Sequence, residues 1–261
     1  MSASSDNAQK SHASFVTEQF GQQARAYLES AVHSAGEDLD IMERAVGERP
    51  EAIALDMGCG GGHVTFRLAP HVQKIVAYDL STDMLETVAG EAAKRGLANV
   101  VTKNGAAEQL PCPDNSFDVV ATRFSAHHWR DVPAGIAQMY RAAKPGGLAL
   151  FADAVAHEDP LIDTWLQSIE LLRDPSHVRD FKVSEWEAMV TAAGFRVREV
   201  RRLRIRLEFA SWIKRIRTPE VNAAAIRALQ VQAPAEVAKH FAFEADGSFM
   251  LDTAVVIAEK P

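Results

Sequence analysis

Apolar positions recur first at helical spacing. Phe15, Phe20, Ala24, Tyr27 and Leu28, then Leu39, Ile41, Met42 and Val46, predict two helices between Phe15 and about Val46. Residues 1–13 ahead of them are rich in Ser, Asn, Gln and Lys, a composition expected of a flexible tail. The period then shortens. Ala52 to Met57 is a brief apolar run ending in glycines, 63–69 reads as helix, and Lys74 to Asp79 reads as a second strand. Residues 81–95 form an amphipathic pattern opened by the capping side chains Ser81, Thr82 and Asp83. Strands follow at 99–103, 117–122 and 148–154, with a helix at 132–143 before the last. Such alternation implies a mostly parallel sheet with helices on both faces. Lys144-Pro145-Gly146-Gly147 is turn chemistry. Beyond residue 156 the pattern predicts helices at 161–172 and 183–193, a strand at 195–207, helical sequence at 210–241 and a final strand at 248–258.

Composition narrows the class without fixing the chemistry. With 261 residues, 47% hydrophobic and 24% charged, the chain can bury a large core unaided by disulfides. The formal charge of -7 opposes a phosphate backbone, so nucleic acid is not the expected partner. Cys59 and Cys112 stand far apart, and no Cys/His/carboxylate run has ligand spacing, so no metal site is expected. Residues 1–13 lack the apolar core of a secretory signal and no segment has the apolar length of a membrane span, which points to a cytoplasmic protein. The oligomeric state is not legible.

The chemistry concentrates where the first strand turns into a helix, at Leu55-Asp56-Met57-Gly58-Cys59-Gly60-Gly61-Gly62. Glycines there permit a tight turn and a close approach of backbone to ligand, while the helix start offers free N–H groups. A second carboxylate, Asp79, ends the next strand 19 residues after Gly60, where it can accept hydrogen bonds from both hydroxyls of a ribose. The dinucleotide fingerprint started at Gly58 would need glycine where the chain has His63. Asp56 can equally organise the turn through backbone hydrogen bonds without touching ligand.

This turn resembles motif I of class I S-adenosylmethionine-dependent methyltransferases, (Asp/Glu)-x-Gly-x-Gly-x-Gly. The resemblance extends over about residues 15–155: Gly105 to Pro111, Asp114 to Val120, Ala126-His127-His128-Trp129 and Lys144 to Gly147 look like the UbiE/Coq5-like branch, also called methyltransferase type 11. It implies a Rossmann-like, doubly wound α/β sheet of seven strands, the last antiparallel, with an N-terminal helical cap over 14–48, a cofactor-binding core over 49–155 and a substrate-side half over 156–261. A helical insertion at about 208–246 precedes the last strand. It also implies S-adenosyl-L-methionine as cofactor, S-adenosyl-L-homocysteine as product and in-line methyl transfer to N, O or C of a small acceptor, such as a quinone-like or planar heteroaromatic metabolite. Residue by residue, Gly58 and Gly60 would face the methionine portion, Asp79 the ribose, Leu80 and Met84 the adenine ring, and Ala106, Ala107 and Glu108 the adenine edge. Ala106 departs from the aspartate of many relatives.

Other candidates have plainer alternatives. Phe20, Gln23 and Tyr27 share a helical face that is either a core stripe or a closing helix with Tyr27 near the reacting centre. His127 and His128 follow the fourth strand at the ligand edge of the sheet, and at most one of these neighbours is expected to face a cavity. Arg123, at the same edge, is a candidate for the methionine carboxylate or a surface ion pair. Cys59 has no helper base and reads as a small turn residue. Arginines at 196, 198, 202, 204 and 206 would line one strand face, either a solvated edge or a surface for an anionic partner. Phe209, Trp212, Ile213, Ile216, Phe241 and Phe243 make the 208–246 segment either a substrate lid or packing for the insertion. A nicotinamide- or flavin-dependent oxidoreductase and a non-catalytic cofactor-binding protein stay open as alternative functions.

Overall fold

A computed structural model of the chain describes residues 11–21 and 36–261. Helix α1 (His12–Gly21) begins inside the stretch expected as a tail: the imidazole Nε2 of His12 lies 3.0 Å from the Ser176 carbonyl oxygen, which ties its first turn to the body. Tyr27 and Gln23 lie outside the described residues, so the closing-helix expectation gains nothing from this structure. Helix α2 (Glu37–Val46) lays Leu39, Ile41, Met42 and Val46 on the sheet.

The strands are β1 (Arg49–Met57), β2 (Val72–Asp79), β3 (Val100–Asn104), β4 (Phe117–Arg123), β5 (Ala143–Ala156), β6 (Phe181–Lys182), β7 (Arg196–Leu207) and β8 (Phe249–Glu259). Seven run side by side in the order β3-β2-β1-β4-β5-β8-β7, with β8 antiparallel to both neighbours. The eighth, β6, is two residues long and pairs only with the end of β5, so the seven expected strands become eight. A pair that short carries no alternation for a periodicity argument to detect.

Alternate residues divide the sheet between two layers of helices. Ala52 and Ala54 face α2 and helix α3 (His63–Leu68), whereas Leu55 and Met57 face helices α5 (Val132–Ala142) and α7 (Val183–Ala192). Helix α4 (Thr82–Lys94) packs Leu85, Val88 and Ala92 against Phe66 and Ala77. A further cluster joins helices α6 (Pro160–Arg173), α8 (Phe209–Arg215), α9 (Glu220–Gln232) and α10 (Ala235–Phe241) to the ends of β7 and β8.

Two local expectations change. Lys144 to Gly147 falls within β5 as a bulge: Ala143 pairs Phe117 and Leu148 pairs Val119, so the intervening residues loop out of the ladder. The arginine stripe does not run unbroken along one face. Val197 pairs Ala258 and Glu199 pairs Ile257, leaving Arg198 as the extra residue of a β-bulge that shifts the alternation. Arg196 and Arg198 reach Glu259, Arg201 reaches Glu199, Arg204 reaches Asp252 and Arg206 reaches Glu244. The strand is a solvated sheet edge whose charges are largely matched within the chain.

Strand order reverses between β1 and β4: the chain builds outward through β2 and β3 on one side and through β5 on the other. The carboxyl ends of β1 and β4 therefore diverge into a crevice, the usual ligand position in an open α/β sheet.

Candidate functional site

The glycine turn leaves β1 at this crevice while remaining fastened to β2. The backbone N–H groups of Gly58 and Cys59 both donate to the Tyr78 carbonyl, at 2.7 and 3.0 Å. Gly58 has φ +71, and a Cβ there would lie 1.9 Å from Ser125 Oγ. Glycine is required by the conformation and by the close approach of the β4 loop. Gly60 has φ +48, and a Cβ built on it meets no atom within 4 Å. Its bare backbone faces open space in the cleft.

Two carboxylates organise the turn from opposite sides. Asp56 accepts from Thr65 N at 3.0 Å and Thr65 Oγ1 at 2.7 Å through one oxygen, joining the strand end to α3. Asp79 accepts from Gly60 N at 2.8 Å and Ser81 N at 2.9 Å, one bond on each oxygen. Ser81 Oγ in turn accepts from Met84 N and caps α4.

Burial pushes the Asp56 carboxyl up to about 7, against the lowering effect of its two Thr65 hydrogen bonds. The folded state therefore holds a proton that the unfolded chain has released above its ordinary value of 3.8. The contribution of this group to stability falls as pH rises between these two values, by on the order of 4 kcal/mol or less. Asp56→Asn is expected to remove this decline, so its melting temperature should gain on that of the wild type as pH rises from about 4 to 7. Parallel melting curves across that range would show that Asp56 does not titrate there.

The cleft encloses about 1140 Å³ of space open to solvent. Asp56, Gly58, Gly60, Asp79, Leu80, Met84, Ala106, Ala107, Glu108, Arg123 and His128 all line it. Tyr78 donates its hydroxyl to the Ala106 carbonyl at 3.0 Å and holds that edge. Glu108 Oε1 accepts from Arg130 N at 3.1 Å and Asp131 N at 3.3 Å, tying the edge to the loop after β4. Arg123 lines the cleft, as the carboxylate expectation requires, and of its plainer alternative only the ion pair holds, since the guanidinium is buried and forms a forked pair with buried Asp38 of α2. A cation at that depth needs a counterion, and Asp38 supplies one.

The neighbouring histidines part company. His128 lines the cleft, its Nδ1 3.2 Å from both the carbonyl and the hydroxyl oxygen of Ser176. His127 is not among the lining residues: its Nδ1 lies 2.6 Å from Asp153 Oδ1, behind the cleft wall. Burial opposes its charge, and the Asp153 carboxylate more than offsets that, lifting the imidazole to about 9.

Phe124, Ser125 and Arg130 line the cleft without having been proposed as site residues, as does Trp129, read in the sequence only as part of the 126–129 match. Ser125 accepts the Trp129 indole N–H at 3.1 Å, and Phe124 sits at φ +47, an uncommon conformation for a bulky residue. The available signal was their position at the exit of β4, beside the crevice. From α1, His12, Ala13 and Val16 complete the wall. None of residues 208–246 lines it, contrary to the lid expectation: Trp212 and Phe241 are buried in the α6 cluster. Large apolar side chains needed a partner, and α6 supplied it.

Comparisons with known proteins agree with this geometry. Residues 55–151 match the family described as a methyltransferase domain. The chain is 44% identical over 203 residues to the uncharacterized protein YafE of Escherichia coli strain K12, covering 78% of this chain and 98% of the other. It is 37% identical over 200 residues to the uncharacterized methyltransferase YcgJ of Bacillus subtilis strain 168, covering 77% and 79%. The crystal structure of YcgJ superimposes with a TM-score of 0.82 at 33% identity, over 86% of this chain and 98% of that one. A demethylmenaquinone methyltransferase of Geobacillus stearothermophilus is 37% identical over 114 residues, covering 42% and 48%.

Proposed function

Because this chain belongs to the class I S-adenosylmethionine-dependent methyltransferases, in their UbiE-like branch, we propose that it methylates a small planar acceptor, quinone-like or heteroaromatic, at an N, O or C atom. The observation that carries this reading is that Phe124, His128 and Trp129, three ring side chains from the exit of β4, all line the cleft together with the glycine turn. Flat aromatic walls favour a flat partner. The relative named as a demethylmenaquinone methyltransferase supports a quinone-like acceptor within this class. The internal pairing of the β7 arginines supports a small acceptor over nucleic acid.

The residues present fit the donor: bare backbone at Gly60 faces open space, and Asp79 stands beside it. When bound, S-adenosylmethionine supplies a methyl group already activated on a sulfonium. The tasks left to the chain are alignment and exclusion of water. Gly58 and Gly60 would admit the methionine portion, Asp79 would hold the ribose, and Leu80 and Met84 would pack on the adenine. Ala106, Ala107 and Glu108 would border its edge. Arg123, anchored by Asp38, would direct positive charge towards the donor carboxylate. His128 would border the acceptor as a neutral imidazole, since burial and the charge on His127 push it down to about 3, so it can accept a hydrogen bond there but is a weak general base.

The test is methyl transfer from labelled donor into a cell extract separated into small-molecule and macromolecular fractions. Label is expected in small molecules that absorb in the near ultraviolet, as conjugated rings do. Label confined to RNA or protein would overturn the proposed acceptor class.

A further inference from the structure

Behind the cleft wall lies a second polar cluster that methyl transfer does not use. Asp153 on β5, Asp180 in the segment before β6, and Glu170 and Asp174 at the end of α6 are all buried carboxylates. Facing them are the Arg173 guanidinium and the imidazoles of His127, His128 and His177. Even with His127 charged, four carboxyl groups meet two cations among the described residues. Buried charge left unmatched is strongly unfavourable, so the cluster needs further positive charge.

The unmatched charge is localised by the hydrogen bonds. Asp153 Oδ1 accepts from His127 and from Ala154 N, but its Oδ2 has no hydrogen-bond partner. Asp180 Oδ2 is also buried and without a hydrogen-bond partner; the His177 imidazole Nε2, held neutral by burial, lies 3.9 Å away. Ligand-capable atoms of His127, Asp153 and Asp180 lie within 4.8 Å of one another. The three come from separate elements: the turn after β4, the end of β5 and the segment following α6.

The geometry points to a divalent cation bound by His127, Asp153 and Asp180, structural in role and set behind the methyl-transfer cleft. One imidazole with two carboxylates suits a first-row transition ion such as Zn²⁺ or Mn²⁺ better than Ca²⁺, which prefers oxygen alone. Such an ion would contact each ligand at ~2.0–2.2 Å and would satisfy the two orphan oxygens together. A proton is the weaker solution. Placed on Asp180 Oδ2, where burial favours it, a proton would neutralise one carboxylate and still leave three facing two cations.

The consequence for the fold is local and mechanical. Val178 N donates to the His127 carbonyl at 2.8 Å, and His128 next to it forms part of the cleft wall. A cation on His127 would therefore fasten the turn after β4 to β5 and to the 174–180 segment. It would stiffen one wall of the cleft without taking part in the reaction.

The probes are Mn²⁺ and Zn²⁺, titrated separately into the full chain after chelation. Calorimetry and, for Mn²⁺, electron paramagnetic resonance read occupancy; thermal melts read stability. Binding of one ion per chain with a rise in melting temperature is expected for at least one of the two. Asp180→Asn keeps the side-chain shape and removes the charge, so its affinity for that ion should fall by ~100-fold or more. Its affinity for S-adenosylhomocysteine should stay within about twofold of wild type, since Asp180 does not line the cleft. Absence of binding by wild type for both ions, or equal binding by wild type and Asp180→Asn, would overturn the site. An Asp180→Asn melting temperature above that of chelated wild type, with neither protein binding either ion, would assign the position to a protonated carboxyl instead.

Discussion

Trp212→Ala is expected to lower the stability of the chain by about 3–5 kcal/mol while leaving the affinity of the folded protein for S-adenosylhomocysteine within twofold. The indole is buried, stands edge-on to Phe249 with ring centroids 5.0 Å apart, and carries the Arg173 guanidinium over its face at 5.0 Å. Its cluster includes Ile162, Leu166 and Ile169 of α6 and Phe241 of α10. Truncation would open a cavity that the facing helices can fill only in part, and it would remove the flat support beneath a buried cation. Urea unfolding gives the stability change and calorimetry gives the affinity. Trp212→Phe, which retains a ring, should lose clearly less. A Trp212→Ala protein of unchanged stability with turnover alone impaired would restore the lid reading of the insertion.

The parts of the fold legible in the sequence are those decided by neighbours along the chain. The apolar run before Gly58 could be read as a strand because it is short and ends in glycines, and Ser81 could be read as a cap because its partner, Met84 N, lies three residues on. Asp79 was readable as a site residue because a strand end beside a glycine turn places it geometrically. What escaped depends on contacts across the fold. The bulge at Arg198 is a register choice made with β8, so the even-numbered arginine stripe looked continuous until the partner strand was present. Arg123 could be placed at the ligand edge of the sheet, but nothing local reveals that Asp38 of α2 reaches it.

His127, Asp153 and Asp180 fall on three distant segments, which is why ligand spacing along the chain was silent about them. One signal was present: Asp153 interrupts the apolar strand Leu148 to Ala156, and a carboxylate in a central strand must find a partner. Trp212 and Phe241 show the converse difficulty. Apolar content established that the insertion packs on something, but not whether that surface was a ligand or α6.

The most direct test of the assigned donor site is calorimetric titration of S-adenosylhomocysteine into wild type and Asp79→Ala. Asp79 lies at the end of β2 with each carboxylate oxygen already receiving one backbone N–H, from Gly60 and from Ser81. These bonds fix the carboxylate at the cleft wall and leave it acceptor capacity for the ribose hydroxyls. Alanine removes the charge-assisted bonds to the ligand and releases the Gly60 turn, while the apolar packing of β2 is kept. Hydrogen bonds to a charged group contribute about 1.5–3 kcal/mol, so affinity should fall by roughly 10- to 150-fold. Asp79→Asn, with one acceptor oxygen retained, should lie between the two. The expected result is one S-adenosylhomocysteine per wild-type chain and this graded loss in folded variants. Failure of wild type to bind, or unchanged affinity in Asp79→Ala, would contradict the assignment of the cleft as the donor site.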